Sequence, residues 1–177
     1  MNKATIKFLQ IFFKKKTIFK YGFNFNPAFR RSTGRIYFVS DDLQTVKIKI
    51  PLSYKNSNYV GTMFGGTMSA ATDPIYMIQL ITILGKDYVV WDKSASIRFK
   101  RPGNKTLYAN FIIPNEFLEQ IKKDIKLHKE TQYNLTVNLT NKDGTIYTEV
   151  QREIYIASKT YYKTKRKKLK NDQKLKF

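Results

Sequence analysis

Apolar and polar positions along this chain follow two periods, and the switches between them mark its elements. Val46-Lys-Ile-Lys-Ile50 alternates strictly, which puts Val46, Ile48 and Ile50 on one face of a strand. Arg35 to Ser40 is rich in β-formers, and Asp41-Asp42 between the two stretches reads as a turn, so a hairpin is expected. Tyr54 to Tyr59 is a polar loop. Tyr88–Trp91 and Ser94–Phe99 read as one long strand or two halves, with Asp92-Lys93 as a surface or bulge pair. Thr106–Ile113, Tyr133–Leu139 and Thr145–Ala157 are further strands, and Asn141-Lys-Asp-Gly144 is a hairpin turn.

Helical spacing appears in three places. Residues 5–20 form a basic amphipathic pattern, expected either to pack on the domain or to touch a membrane surface. The Phe23-Asn-Phe-Asn-Pro27 run ends it. Asn115 to about Lys126 places Phe117, Leu118, Ile121 and Ile125 on one face, with Asn115 as expected N-cap. Gly61 to Gly85 is small and apolar throughout, which predicts a long buried helix with Gly85 at its C-terminal cap. Pro74 sits inside it, so the helix kinks near Asp73 or a second helix begins at Pro74. A hydrophobic helix needs a sheet to cover it. The expected fold is therefore α+β, an antiparallel sheet wrapped around a long central helix.

Composition narrows the chemistry. The absence of Cys excludes disulfide scaffolds, thiolate zinc sites and Cys nucleophiles, and a single histidine, His128, excludes multi-histidine metal sites. No metal and no cofactor are expected. The longest apolar stretch, Ile75 to Leu84, is about half a membrane span. No secretory signal is evident, and a cytoplasmic protein without a transmembrane segment is expected.

The formal net charge of +20 suggests a polyanion partner until it is divided along the 177 residues. Residues 1–35 hold nine Lys or Arg and no acid, and residues 159–177 hold nine with one acid. The middle, 36–158, carries 15 basic and 12 acidic residues. The expected organisation is a basic N-terminal helix or extension over 1–21, a domain over 22–158 and a flexible basic tail over 159–177. Nucleic acid is not expected as a partner. Lys outnumbers Arg 26 to 7, a bias that AT-rich coding DNA produces without selection for any ligand.

Chemistry concentrates in residues 58–74, NYVGTMFGGTMSAATDP. Gly65-Gly66 permits close approach to the backbone at a helix start, where free N–H groups and the helix dipole favour negative charge. The same glycines suit plain helix–sheet packing. Asp73 is a lone carboxylate in an apolar helix, where burial would raise its pKa, useful for a general base, or it caps a helix starting at Pro74. Asn58 is a polar site residue or a turn residue. Trp91 and the methionines Met63, Met68 and Met77 read as core or pocket lining. Arg98, Lys100 and Arg101, before Pro102-Gly103, suit the phosphates of a ligand or a solvated strand end.

Asn58, Gly61, the Phe64-Gly65-Gly66 triplet and Asp73 stand at a spacing that resembles the hotdog-fold acyl-CoA thioesterases of the phenylacetic-acid-degradation type. The wider pattern from Gly34 to Gly103 (GRI, PL, NYVGT, FGG, DPIYM, LG, DYVVWDK and IRFKRPG) is similar to an uncharacterised bacterial branch of that superfamily, and the likeness extends more weakly to about Lys159. The resemblance implies a single hotdog domain and an acyl-CoA or acyl-carrier substrate. It implies backbone donors at Gly65, Gly66 and Thr67 that polarise the thioester carbonyl, a device contributing about 3–4 kcal/mol per donor. Asp73 would be base or nucleophile, Asn58 would orient water or substrate, and Met63, Phe64 and Met68 would line the pocket. The site would form across a homodimer, alone or in a dimer of dimers. The family's histidine is Phe64 here, an apolar wall in place of a proton-sharing group. Three functions are therefore weighed: thioester hydrolysis, acyl binding without turnover, and a basic nucleic-acid or membrane-surface binder driven by the two ends.

Overall fold

The computed structural model describes residues 13–174. Its helices are α1 (Lys15–Phe25), α2 (Pro27–Arg31), α3 (Gly65–Thr72), α4 (Ile75–Leu84), α5 (Asn115–His128) and α6 (Lys159–Lys174). Its strands are β1 (Arg35–Val39), β2 (Thr45–Ile50), β3 (Tyr88–Phe99), β4 (Leu107–Ile112), β5 (Glu130–Thr140) and β6 (Ile146–Ser158).

The six strands form one antiparallel sheet in the order β1-β2-β4-β5-β6-β3. β4 and β5 pair only where Tyr108 lies opposite Thr140. β5 and β6 form a long hairpin closed by the Asn141–Gly144 turn, where Gly144 has φ +84°. β3 is one strand, with its register shifted between Asp92 and Ser94. Alternation works as expected in β2, where Val46, Ile48 and Ile50 are all buried; on β6 Val150, Ile154 and Ile156 are buried as well. These side chains meet Met68, Ala71, Ile75 and Leu80 of α3 and α4 in one core.

The expected long central helix is two helices. α3 ends at Thr72, the Asp73–Pro74 peptide is cis, and α4 starts at Ile75. Asp73 makes no side-chain cap to α4 and instead occupies the C-terminal end of α3. Proline at this point removes a helix donor and bars the α conformation from the residue before it. The expected cap at Asn115 also differs. Pro114 holds that position, and Asn115 begins α5 with its side chain accepting from Gln44.

Residues 5–12 of the expected N-terminal helix lie outside the described residues; from Lys15 the helix continues past the expected end to Phe25. Phe19 and Phe23 face inward, and Phe23 meets Phe29 edge-on at 5.3 Å. Asn24 donates to the Ile36 carbonyl and accepts from the Ile36 N–H, both at 2.9 Å, and Lys20 donates to the Tyr37 carbonyl at 2.9 Å. α1 thus supplies partners along the free edge of β1, the kind of cover that prevents unwanted strand pairing. The edge at β3 has no such cover among the described residues.

The C-terminal stretch, expected to be flexible, is helical to Lys174. Glu130 is the reason for its seating. It accepts from Lys165 at 2.7 Å, from Tyr155 at 2.6 Å and from Tyr161 at 3.1 Å, and these donors, led by Lys165, hold its carboxyl below the ordinary value. One acid outside the helix therefore holds a strongly basic segment in place.

Candidate active site

α3 begins where the Asn56–Met63 loop turns back on itself. Asn58 accepts from the N–H groups of Val60 and Thr62 at 3.1 and 3.0 Å, and donates to the Thr62 hydroxyl at 2.9 Å. Gly61 has φ +79°, a left-handed conformation that favours glycine. Asn58 is therefore the organiser of a tight turn. Met63 and Phe64 are tied down by backbone bonds to Gly103 and Asn56, each 2.8 Å.

At the helix start, the N–H groups of Gly65 and Gly66 have no acceptor among the described residues. The Thr67 N–H is already spent on the Phe64 carbonyl at 3.0 Å, so of the three expected donors only those of Gly65 and Gly66 are left without an acceptor among the described residues. Aromatic rings stand over both glycines. A methyl group on Gly65 would lie 2.7 Å from the Phe99 ring, and one on Gly66 would strike the Phe64 ring. Phe64 and Phe99 are themselves 58% and 53% exposed.

A hollow of about 420 Å³ joins these pieces, lined by Asn58, Met63, Gly65, Met68, Lys100 and Arg101 among others. Its cations are partly engaged. Lys100 pairs with Glu149 at 2.9 Å, and Arg101 donates to the Ile146 carbonyl at 2.7 Å. Arg98 is exposed on β3 opposite Glu149. Met63 and Met68 are buried, whereas Trp91 is 51% exposed on the edge strand rather than in the core.

Asp73 is elsewhere. α3 separates it from Gly66 by about 10 Å at the helical rise. The burial expected for it is absent, since its side chain is 53% exposed. It stands on the wall of a larger cavity of about 610 Å³, between α1, α2 and the break of α3 and α4. That cavity is mostly apolar, with Ile18, Phe19, Phe23, Phe29, Ala70 and Ile78 among its lining.

Arg152 holds Asp73 in place, and the reading of the sequence missed it. Its Nη1 donates to Asp73 Oδ2 at 3.1 Å, and its Nη2 donates to the Ser69 carbonyl at 3.2 Å and the Thr72 hydroxyl at 3.4 Å. The guanidinium is 6% exposed, and Nε has no partner. The signal was available: Arg152 shares the apolar parity of Val150 and Ile154 on β6. Asp92 shares this inward face on β3, beside Val90 and opposite Ile154. Burial, the largest influence, pushes its carboxyl up; Arg152 opposes this and Asp73 adds to it. Asp92 Oδ1 is buried without a partner. Among the described residues no His, Cys, Asp and Glu cluster could hold a metal ion, and no helix is long and apolar enough to cross a membrane.

The comparisons with known proteins fit this architecture. A family described as a domain of unknown function, DUF4442, matches residues 15–156. No curated protein matches the chain. A Pseudomonas aeruginosa protein of unknown function, described as a probable thioesterase, is 19% identical with a TM-score of 0.70, over 80% of this chain and 95% of that one. A protein of unknown function from Chlorobaculum tepidum is 15% identical with a TM-score of 0.65, over 80% and 93%. A Haemophilus influenzae thioesterase is 10% identical with a TM-score of 0.56, over 76% and 85%. At these identities the likeness shows the fold, an antiparallel hotdog sheet with helices.

Proposed function

The chain belongs to the DUF4442 family and has the hotdog fold of thioesterases, and on that footing we propose that it binds acyl thioesters and hydrolyses them. The observation that carries this reading is the placement of Asp73: its Oδ2 is fixed by buried Arg152 while its half-exposed carboxylate stands on the wall of the 610 Å³ apolar cavity. The acyl chain occupies that cavity. Asp73 takes a proton from water, and the oxygen attacks the carbonyl carbon. The carbonyl oxygen gains negative charge, the C–S bond then breaks, and the thiolate leaves with a proton from the base.

The developing oxyanion needs donors that Asp73's own helix start, about 10 Å away, cannot direct at the same carbon. A second copy supplies them through its Gly65 and Gly66. The uncovered edge of β3 and the exposed Trp91, Phe64 and Phe99 support such a dimer. Arg98, Lys100 and Arg101 meet the phosphates of coenzyme A. Acyl binding without turnover is the second reading, favoured by the Phe64 and Phe99 rings over the two glycines.

Thiol release from a panel of acyl-CoA chain lengths, wild type against Asp73→Asn, tests the proposal. Chain-length-selective hydrolysis lost in the variant is expected. No hydrolysis at any length, with acyl-CoA still bound, leaves the second reading. Hydrolysis unchanged by the substitution removes Asp73 from the mechanism.

A further inference from the structure

α1 has two apolar sides, and only one of them serves the fold. The inner side, Phe19 and Phe23, is packed, and Asn24 and Lys20 fix the helix along β1. On the outer side Tyr21 and Phe25 are 50% and 69% exposed, their rings stacked at 6.1 Å, and Phe13 just before the helix is 52% exposed. These three line a shallow hollow of about 470 Å³ with Thr17, Ile18 and Pro27. Large apolar groups left in water on a segment already anchored by its other face mark an interaction surface.

The charge around that surface has one sign. Lys14 and Lys15 are exposed at its start and Arg30 and Arg31 just beyond its end. Residues 1–35 contain no Asp or Glu, and the nearby Asp41 is neutralised by Lys16 at 2.9 Å. An aromatic face bracketed by cations suits a lipid interface, where rings settle at headgroup level and long basic side chains reach the phosphates. Ile18 and Gly22 border both this outer hollow and the 610 Å³ cavity, so the two apolar surfaces are continuous across a low ridge.

We propose that α1 is an interfacial docking helix that lays its Phe13, Tyr21 and Phe25 face on an anionic lipid surface, bringing the mouth of the apolar cavity beside the bilayer. The chain needs no part of the thioester reading to do this. Docking is measured without substrate, so it stands or falls apart from hydrolysis.

The natural absence of Cys allows a single reporter. Thr17→Cys, carrying an environment-sensitive fluorophore, is mixed with vesicles of phosphatidylcholine alone and with one quarter phosphatidylglycerol. Lys142→Cys, on the β5–β6 turn, is the control. The expected result is a blue-shifted, brighter signal at position 17 on anionic vesicles, none at position 142, and weakening with salt. Co-sedimentation should fall at least tenfold in Tyr21→Ser/Phe25→Ser and in Lys14→Ser/Lys15→Ser, each verified as folded by circular dichroism. The proposal is overturned by no shift on anionic vesicles, or by binding that survives both double variants. It is also overturned if the shift at position 17 grows with protein concentration without lipid, which would make the face a contact between copies.

Discussion

Arg152 and Asp73 are 79 residues apart in sequence and joined by a 3.1 Å ion pair in which the cation is buried and the anion is half exposed. That asymmetry decides which partner matters more to the fold. Removing Asp73 leaves a guanidinium inside the core with only Ser69 and Thr72 to receive it. Removing Arg152 leaves a carboxylate that water can solvate.

Asp73→Ala should therefore lower stability by about 2 kcal/mol, less than a fully buried pair because water screens the exposed carboxylate. Arg152→Met should cost about 1 kcal/mol, since its apolar chain fills the space and removes the buried guanidinium together with its partner requirement. Urea melts of both variants check the order. A larger loss for Arg152→Met would mean that the guanidinium acts mainly through its bonds to α3.

Phe64→His restores the side chain that the resembled thioesterases carry before the two glycines. The ring is exposed, so the exchange disturbs little packing. A proton-sharing group beside the free N–H groups should raise kcat/KM for acyl-CoA at least tenfold, about 1.4 kcal/mol in the barrier. Steady-state thiol release measures it, and an unchanged rate would detach position 64 from catalysis.

Asp92 gives a prediction in pH. Burial raises its carboxyl above the ordinary value of 3.8. A raised value means that the fold prefers the protonated form, so this group lowers stability as pH rises through its folded pKa. Asp92→Asn removes that penalty. Its gain in Tm should be greatest near neutral pH and vanish below the ordinary carboxylate range, and thermal melts across pH show this directly. An equal gain at all pH values would point to packing instead.

The open edge of β3 predicts the assembly. Trp91→Lys with Ser96→Lys places like charges along a strand edge and should convert a dimer into monomers in sedimentation velocity. A wild type that sediments as a monomer at micromolar concentration would remove the second copy from the mechanism.

Much of this molecule was legible in the residues. Strict alternation marked β2, Asn141–Gly144 marked the β5–β6 hairpin, and Pro74 marked the interruption between α3 and α4, because each reports a local backbone preference. The helical C-terminal stretch was not legible. Its basic sequence has little reason to order alone, and a single distant acid, Glu130, supplies the reason.

The sequence by itself determined the strands, most of the helices, and the stretch from Asn58 to Asp73 that carries the candidate site residues. Only the tertiary structure decided what those residues face. It tied Asn58 into a turn, consumed the Thr67 N–H within the helix start, and set Asp73 against Arg152 on the wall of an apolar cavity instead of within the core. Periodicity reports the face of an element that is buried. The partner that meets that face comes from a strand many residues away, and nothing local in either segment encodes the meeting.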